Sequence, residues 1–109
     1  MSTPVAQVIA AILTCAMLAS CGVPPGLKIR DDYMGPKYGA VTSAGREAMD
    51  MMARSEGILL DPVYTAKALA GLIDDARQGR LGPKDLAVFI HTGGTPAIFA
   101  YRDELMEKS

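Results

Sequence analysis

Leu86-Ala87-Val88-Phe89-Ile90 is an unbroken apolar run, ended at once by His91-Thr92-Gly93-Gly94-Thr95-Pro96. The run is too short for a helix, and a strand that is apolar on both alternations must be covered on both faces, as in a parallel sheet. Its edges also need neighbouring strands to take its backbone hydrogen bonds. The rest of the chain offers mainly helices. Thr42 or Ser43 caps a helix from about Ala44 to Ser55, with Ala48, Met49, Met52 and Ala53 inward and Gly57 as its left-handed stop. After Ile58-Leu59-Leu60, Asp61-Pro62 forces a turn, and Thr65 or Tyr64 caps a second helix, about Ala66 to Gln78, with Leu69, Leu72, Ile73 and Ala76 at helical spacing and Gly79 beyond it. Thr95 as cap and Pro96 as first residue open a short helix to about Tyr101. Lys28 to Thr42 reads as an irregular loop after one short strand. The order is that of an α/β protein holding a partial open parallel sheet with flanking helices, a piece of a sheet whose other strands lie elsewhere.

Met1 to Leu27 carry no charge at all; every Lys, Arg, Asp and Glu lies between Lys28 and Lys108. Val5 to Ser20 read as a helix, capped by Thr3, opened by Pro4 and ended by Gly22 and Pro24-Pro25. It is short of the roughly 20 apolar residues that span a bilayer, so a buried helix fits it better and no membrane partner is expected. The alternative is export, because Leu18-Ala19-Ser20-Cys21 matches a lipoprotein cleavage pattern with Cys21 as the lipidated residue. No Lys or Arg precedes the apolar run, and a secretory signal needs that positive region. Cys15 and Cys21 lack metal-ligand spacing and read as small buried residues. The net charge of −1 gives no basic footprint for nucleic acid.

Ligands of open α/β sheets bind at the carboxyl ends of strands, which points to His91-Thr92-Gly93-Gly94, where glycines let a ligand approach the backbone. A tight strand-to-helix turn explains the same glycines without a ligand. His91 is the single histidine, so a His-rich metal site is excluded and no catalytic triad can be inferred. The other candidate is the turn Asp61-Pro62-Val63-Tyr64-Thr65, whose phenol could serve as acid or base if its pKa were lowered.

Glu56-Gly57-Ile58-Leu59-Leu60-Asp61-Pro62-Val63-Tyr64-Thr65-Ala66-Lys67-Ala68, then Val88-Phe89-Ile90-His91-Thr92-Gly93-Gly94-Thr95-Pro96-Ala97-Ile98-Phe99-Ala100-Tyr101, resemble the C-terminal part of the D-cysteine desulfhydrase and 1-aminocyclopropane-1-carboxylate deaminase family. Asp31-Asp32-Tyr33-Met34-Gly35-Pro36-Lys37-Tyr38-Gly39 resembles the same family's tyrosine loop. The resemblance implies the C-terminal portion of a tryptophan synthase β-like fold, with pyridoxal phosphate as cofactor. It makes Tyr64 and Tyr38 the catalytic tyrosines and assigns Thr92, Thr65 and Gly93 to the cofactor, Thr92 facing the pyridine nitrogen. Deaminase-like members carry a glutamate after the motif tyrosine, where this chain has Thr65. A neutral hydroxyl does not hold the ring nitrogen protonated as a carboxylate does, which favours elimination from D-cysteine over cyclopropane ring opening.

Two positions depart from the family: Ala66 and Lys37 stand where glycine is usual, a strain if φ there must be positive. Nothing in Met1 to Leu27 resembles the family's Schiff-base lysine or phosphate loop, and Lys28, Lys37, Lys67, Lys84 and Lys108 lie outside that lysine's context. The expectation is therefore a C-terminal fragment of a cytoplasmic lyase, inactive alone, with residues 1–27 as an interior helix and 28–109 as part of the catalytic domain. The complete family member would act on a small amino acid as a homodimer.

Overall fold

The computed structural model describes residues 28–107. The expected apolar helix of residues 5–20 and the cleavage pattern at Cys21 lie outside the described residues. The described chain forms four helices, α1 (Ser43–Glu56), α2 (Thr65–Arg77), α3 (Ala97–Ala100) and α4 (Arg102–Met106).

Both long helices begin and end on local signals. The Thr42 hydroxyl accepts the Gly45 N–H at 3.1 Å and starts α1, while Gly57 at φ +68° stops it by donating back to the Ala53 carbonyl. Arg54 in the last turn of α1 pairs with Asp50 one turn earlier, at 2.7 Å. α2 runs to Arg77, with the Gln78 N–H returned to the Asp74 carbonyl and Gly79 at φ +71° turning the chain away.

α1 packs on α2. The core between and around them is small: Ala48, Leu60, Ala66, Leu69 and Ala70 are buried, flanked by half-buried Ala44, Met49, Met52, Leu72, Ile73, Tyr33 and Phe89. Alanines dominate the contact, so the helix backbones approach closely and the interface has little apolar volume to lose. An exposed ion pair at 2.5 Å, Arg77 on α2 with Glu47 on α1, closes its edge.

Residues 28–33 are pinned to the end of α2 by charge. Arg30 bonds Asp32 at 2.9 Å and Asp75 at 2.5 Å, and Arg80 meets Asp74 at 2.6 Å and Asp75 at 2.7 Å. The Arg30 guanidinium lies 5.4 Å from the centre of the Tyr33 ring, and the same ring lies close to Gly71 on α2, where an added Cβ would stand 3.3 Å from a ring carbon. Gly71→Val is expected to displace Tyr33 and cost about 1–3 kcal/mol in urea unfolding, the usual penalty of overpacking. An unchanged midpoint would show that Tyr33 does not hold the loop.

The C-terminal helices dock through Arg46 of α1, which donates to the carbonyls of Glu104, Leu105 (3.1 Å) and Glu107 (2.8 Å). These are the acceptors that the end of α4 leaves free, so the cation is well placed against the helix dipole.

The expected strand at residues 86–90 does not form, nor does one near Lys28; no strand occurs among the described residues. Residues 86–93 make no backbone-to-backbone hydrogen bond among those residues. Leu86 (72% exposed) and Val88 (41%) are uncovered, and only Phe89 turns inward to the core. A strand is a property of a pair, and no described segment supplies the partner. Among the described residues the partial parallel sheet is therefore not formed, and the architecture they show is helical. The short C-terminal helix also starts later than expected: Pro96 is its cap residue, and the Thr95 hydroxyl reaches the Leu59 carbonyl at 3.4 Å instead of capping.

Candidate active site

Three segments far apart in sequence meet beside the N-terminus of α2: the tyrosine loop at 34–39, the turn at 61–65 and the glycine segment at 91–95. The turn is organised by Asp61, which is 1% exposed. One carboxylate oxygen accepts the N–H groups of Val63 (2.8 Å) and Tyr64 (2.7 Å), and the other accepts the Thr65 N–H (2.8 Å) and the Thr65 hydroxyl (2.6 Å). The Asp61 N–H in turn donates to Thr65 Oγ1 at 2.9 Å. This reciprocal arrangement satisfies the free donors at the start of α2 and puts a negative charge at the positive end of its dipole. Burial works to raise the Asp61 pKa, but the bonds from Thr65, Tyr64 and Val63 outweigh it and hold the carboxyl below its ordinary value.

Tyr64 immediately precedes α2 and makes no side-chain cap. With Asp61 serving the backbone, the phenol is free to turn outward, where its hydroxyl hydrogen-bonds the Tyr38 hydroxyl; the rings meet edge to face, 6.2 Å apart and inclined at 60°. Both rings are exposed, at 55% for Tyr64 and 83% for Tyr38. The bond to Tyr38 and then desolvation raise the Tyr64 pKa, with smaller contributions from the negative charges of neighbouring groups. The shift is opposite to the lowering that a phenolate base would need. Tyr64 keeps its proton at neutral pH and is suited to donate it.

The glycine segment leans on the same turn. His91 Nε2 lies 2.9 Å from the Leu59 carbonyl, which accepts, so Nε2 carries the proton; Nδ1 accepts the Gly93 N–H at 3.0 Å. The lone histidine is thus a structural clasp. Gly94, at φ +88°, lies so close to Asp61 that an added Cβ would stand 3.0 Å from its carboxyl carbon. Gly93 is also at positive φ (+95°), and the space where its Cβ would lie is open.

The five residues expected at the site fall into three places. Tyr38 and Tyr64 are brought together. Thr92 is exposed and Gly93 lies beside open space. Thr65 departs from the expectation that it faces the cofactor: it is 1% exposed, and its hydroxyl both donates to and accepts from Asp61. Neither Ala66 nor Lys37 is at positive φ, so the glycines usual there are not demanded by this backbone; Ala66 is a fully buried core residue.

Asp61 is the organising residue of the turn, and an aspartate just ahead of a helix start is the signal in the sequence that marks it as a cap. Nothing in the sequence pointed to Tyr101, whose hydroxyl approaches Gly39 so closely that a Cβ there would stand 3.0 Å from it.

The chain that carries these features has relatives among known proteins. The chain belongs to the pyridoxal-phosphate dependent enzymes, a family that matches residues 3–93. It is 56% identical over 71 residues to the D-cysteine desulfhydrase of Salmonella paratyphi B (strain ATCC BAA-1250 / SPB7), an alignment covering 65% of this chain and 22% of that protein. Among solved structures it resembles one described as an ACC deaminase homologue, with a TM-score of 0.64 and 42% identity, covering 78% of this chain and 25% of that one. The chain therefore spans about a quarter of the length of these relatives. The family match begins at residue 3, so it takes in the uncharged stretch and the cleavage pattern at Cys21 and gives the export alternative no support. Among the described residues no helix is long and apolar enough to cross a membrane, and no cluster of side chains suits a metal ion.

The residues present fit the cofactor in part. The Thr92 hydroxyl makes no hydrogen bond among the described residues, and it stands next to the open face of Gly93, so a ring nitrogen and a close backbone approach can both be served. Lys67, the one buried lysine described, is engaged with the Met34 carbonyl at 2.7 Å. Lys28, Lys37 and Lys84 are exposed.

Proposed function

We propose that this chain is the C-terminal, tyrosine-bearing part of a D-cysteine desulfhydrase-like lyase, which eliminates sulfide from D-cysteine to leave pyruvate and ammonia. The observation that carries the reading is the hydroxyl-to-hydroxyl contact of Tyr38 and Tyr64, which joins two family motifs 26 residues apart at one point. Pyridoxal phosphate, when bound, supplies the electron sink for the substrate's α-carbon. Thr92 would hold its ring nitrogen, with Gly93 allowing close approach. A threonine hydroxyl stabilises that nitrogen without the negative charge that favours its protonation.

The chain's own residues then handle protons. Tyr64 Oη stays protonated and points outward, so it can donate to a departing sulfur, while the Tyr38 hydroxyl stabilises the charge left behind. Thr65, rather than touching the cofactor, fixes Asp61 and through it the direction of Tyr64. The complete enzyme, on this reading, is a cytoplasmic homodimer acting on a small amino acid.

Similarity to the ACC deaminase homologue favours a second reading, opening of a cyclopropane amino acid. One experiment separates the two. The chain alone, mixed with pyridoxal phosphate, is expected to show no visible cofactor band and no sulfide from D-cysteine. Fused behind the part of the Salmonella desulfhydrase that it does not span, it is expected to restore sulfide release. A cofactor-loaded chimera that opens 1-aminocyclopropane-1-carboxylate and releases no sulfide would overturn the desulfhydrase reading, and turnover by the isolated chain would overturn the fragment reading.

A further inference from the structure

We propose that Lys67 is the positioning residue of the tyrosine pair: from the first turn of α2 it binds the Met34 carbonyl and so fixes the 34–39 loop where Tyr38 meets Tyr64. The proposal rests on the reading of that pair as functional, and it assigns a role to the buried lysine that proton transfer by the tyrosines leaves unexplained.

The loop has little else to hold it. Residues 34–38 are all exposed, and its own backbone bonds are two local turns, Met34 N–H to the Asp31 carbonyl and Ala40 N–H to the Lys37 carbonyl. Beyond those local turns, two hydrogen bonds among the described residues tie residues 34–39 to distant parts of the molecule: Lys67 Nζ to the Met34 carbonyl at 2.7 Å, and Tyr38 to Tyr64. Both come from the start of α2, because residues 64 and 67 are one helical turn apart and stand on neighbouring faces. The loop is thus held at two points by one rigid element.

The route of the lysine is built. Its stem passes Gly45 of α1, where an added Cβ would stand 3.7 Å from Lys67 Cγ. Beyond Met34 the chain turns at Gly35, at φ +82°, where a Cβ would collide with Thr42 Cγ2 at 2.7 Å and lie 4.0 Å from Nζ. Glycine is required there for the carbonyl to face the ammonium with the loop packed on Thr42. Lys67 is 9% exposed, and an ammonium is buried at a cost that needs compensation. Desolvation lowers its pKa, and the nearby Asp61 charge acts in the opposite direction. A merely space-filling role would be met by methionine.

The test reads Tyr64 itself, in the full chain and without cofactor or turnover, so failure of the lyase reading leaves this result standing and the reverse also holds. Tyrosine Cζ carbons are isotope-labelled and titrated by NMR, the Tyr64 signal being assigned as the one lost in Tyr64→Phe, so that the Tyr64 midpoint is followed separately from that of Tyr38. Lys67→Met is expected to move that midpoint down toward the ordinary tyrosine value, with helical circular dichroism retained. Simple loss of a nearby cation would move it up, so the sign separates positioning from charge. In a Tyr38→Phe background Lys67→Met is expected to produce no downward shift, and Lys67→Arg, which keeps a donor, is expected to hold the wild-type midpoint. If Lys67→Met loses its helical signal, Lys67→Gln, whose amide ends one bond shorter than the ammonium and so does not reach the Met34 carbonyl as arginine does, is expected to lower the midpoint in the same way. An unchanged or raised midpoint, or an equal downward shift without the Tyr38 hydroxyl, would overturn the proposal.

Discussion

Asp61→Ala is expected to destabilise the protein by about 2–4 kcal/mol, because it strips one acceptor from three backbone donors and a buried hydroxyl at once. Urea unfolding at neutral pH, followed by helical circular dichroism, measures the loss. The sign of its pH dependence follows from the depressed pKa of the Asp61 carboxyl. A carboxyl bound more weakly by protons when folded contributes stability above its unfolded pKa, and that contribution is lost as pH falls through the lower folded value. The difference between wild type and variant is therefore flat above about pH 5 and narrows in acid as Asp61 is protonated. Asp61→Asn, which keeps the shape and one acceptor, is expected to fall between the two. A loss under about 0.5 kcal/mol in Asp61→Ala would mean that water replaces the cap and that the turn owes its form to Pro62 instead.

In the chimera that restores turnover, Tyr64→Phe is expected to lower kcat for D-cysteine about 10²–10³-fold while leaving the thermal midpoint nearly unchanged. The two outcomes are separable because Tyr64 makes no cap bond and its ring is more than half exposed, so little packing is lost with the hydroxyl. Tyr38→Phe is expected to have a smaller effect, and the double variant to add little to Tyr64→Phe, as residues acting as a unit do. Equal and additive losses would show that each tyrosine acts on its own, and the paired donor described above would be wrong.

The two long helices were legible because their limits are written locally. The expected span of about Ala44 to Ser55 became Ser43–Glu56, with Thr42 as cap and Gly57 as stop, and the expected Ala66 to Gln78 became Thr65–Arg77. Residues 86–90 show the opposite case. Their apolar pattern records the need for cover, yet strand geometry depends on a neighbour no local pattern can supply. The site was legible as residue types and illegible as relations. Tyr38 and Tyr64 belong to motifs far apart in sequence, and the bonds that hold the intervening segments, Lys67 to Met34 and Arg30 to Asp75, span 33 and 45 residues, which no local pattern encodes. The Thr65 hydroxyl is taken up by Asp61, a relation its residue type does not reveal, since a hydroxyl at a helix start serves the backbone or a ligand equally well in sequence. The pKa direction at Tyr64 also came from a contact: a phenol alone suggests nothing, and one facing a second phenol keeps its proton.

The close fit of Gly94 against Asp61 has a bearing on how such a site can change over generations. Any side chain at position 94 strikes the carboxyl that aims Tyr64, so the glycine wall and the tyrosine turn cannot be reshaped one at a time. Single substitutions that alter which amino acid fits are thereby channelled to the exposed 34–38 loop, where Met34, Pro36 and Lys37 can vary without disturbing the clasp beneath. A lineage adapting this scaffold to a new substrate would leave its marks there first.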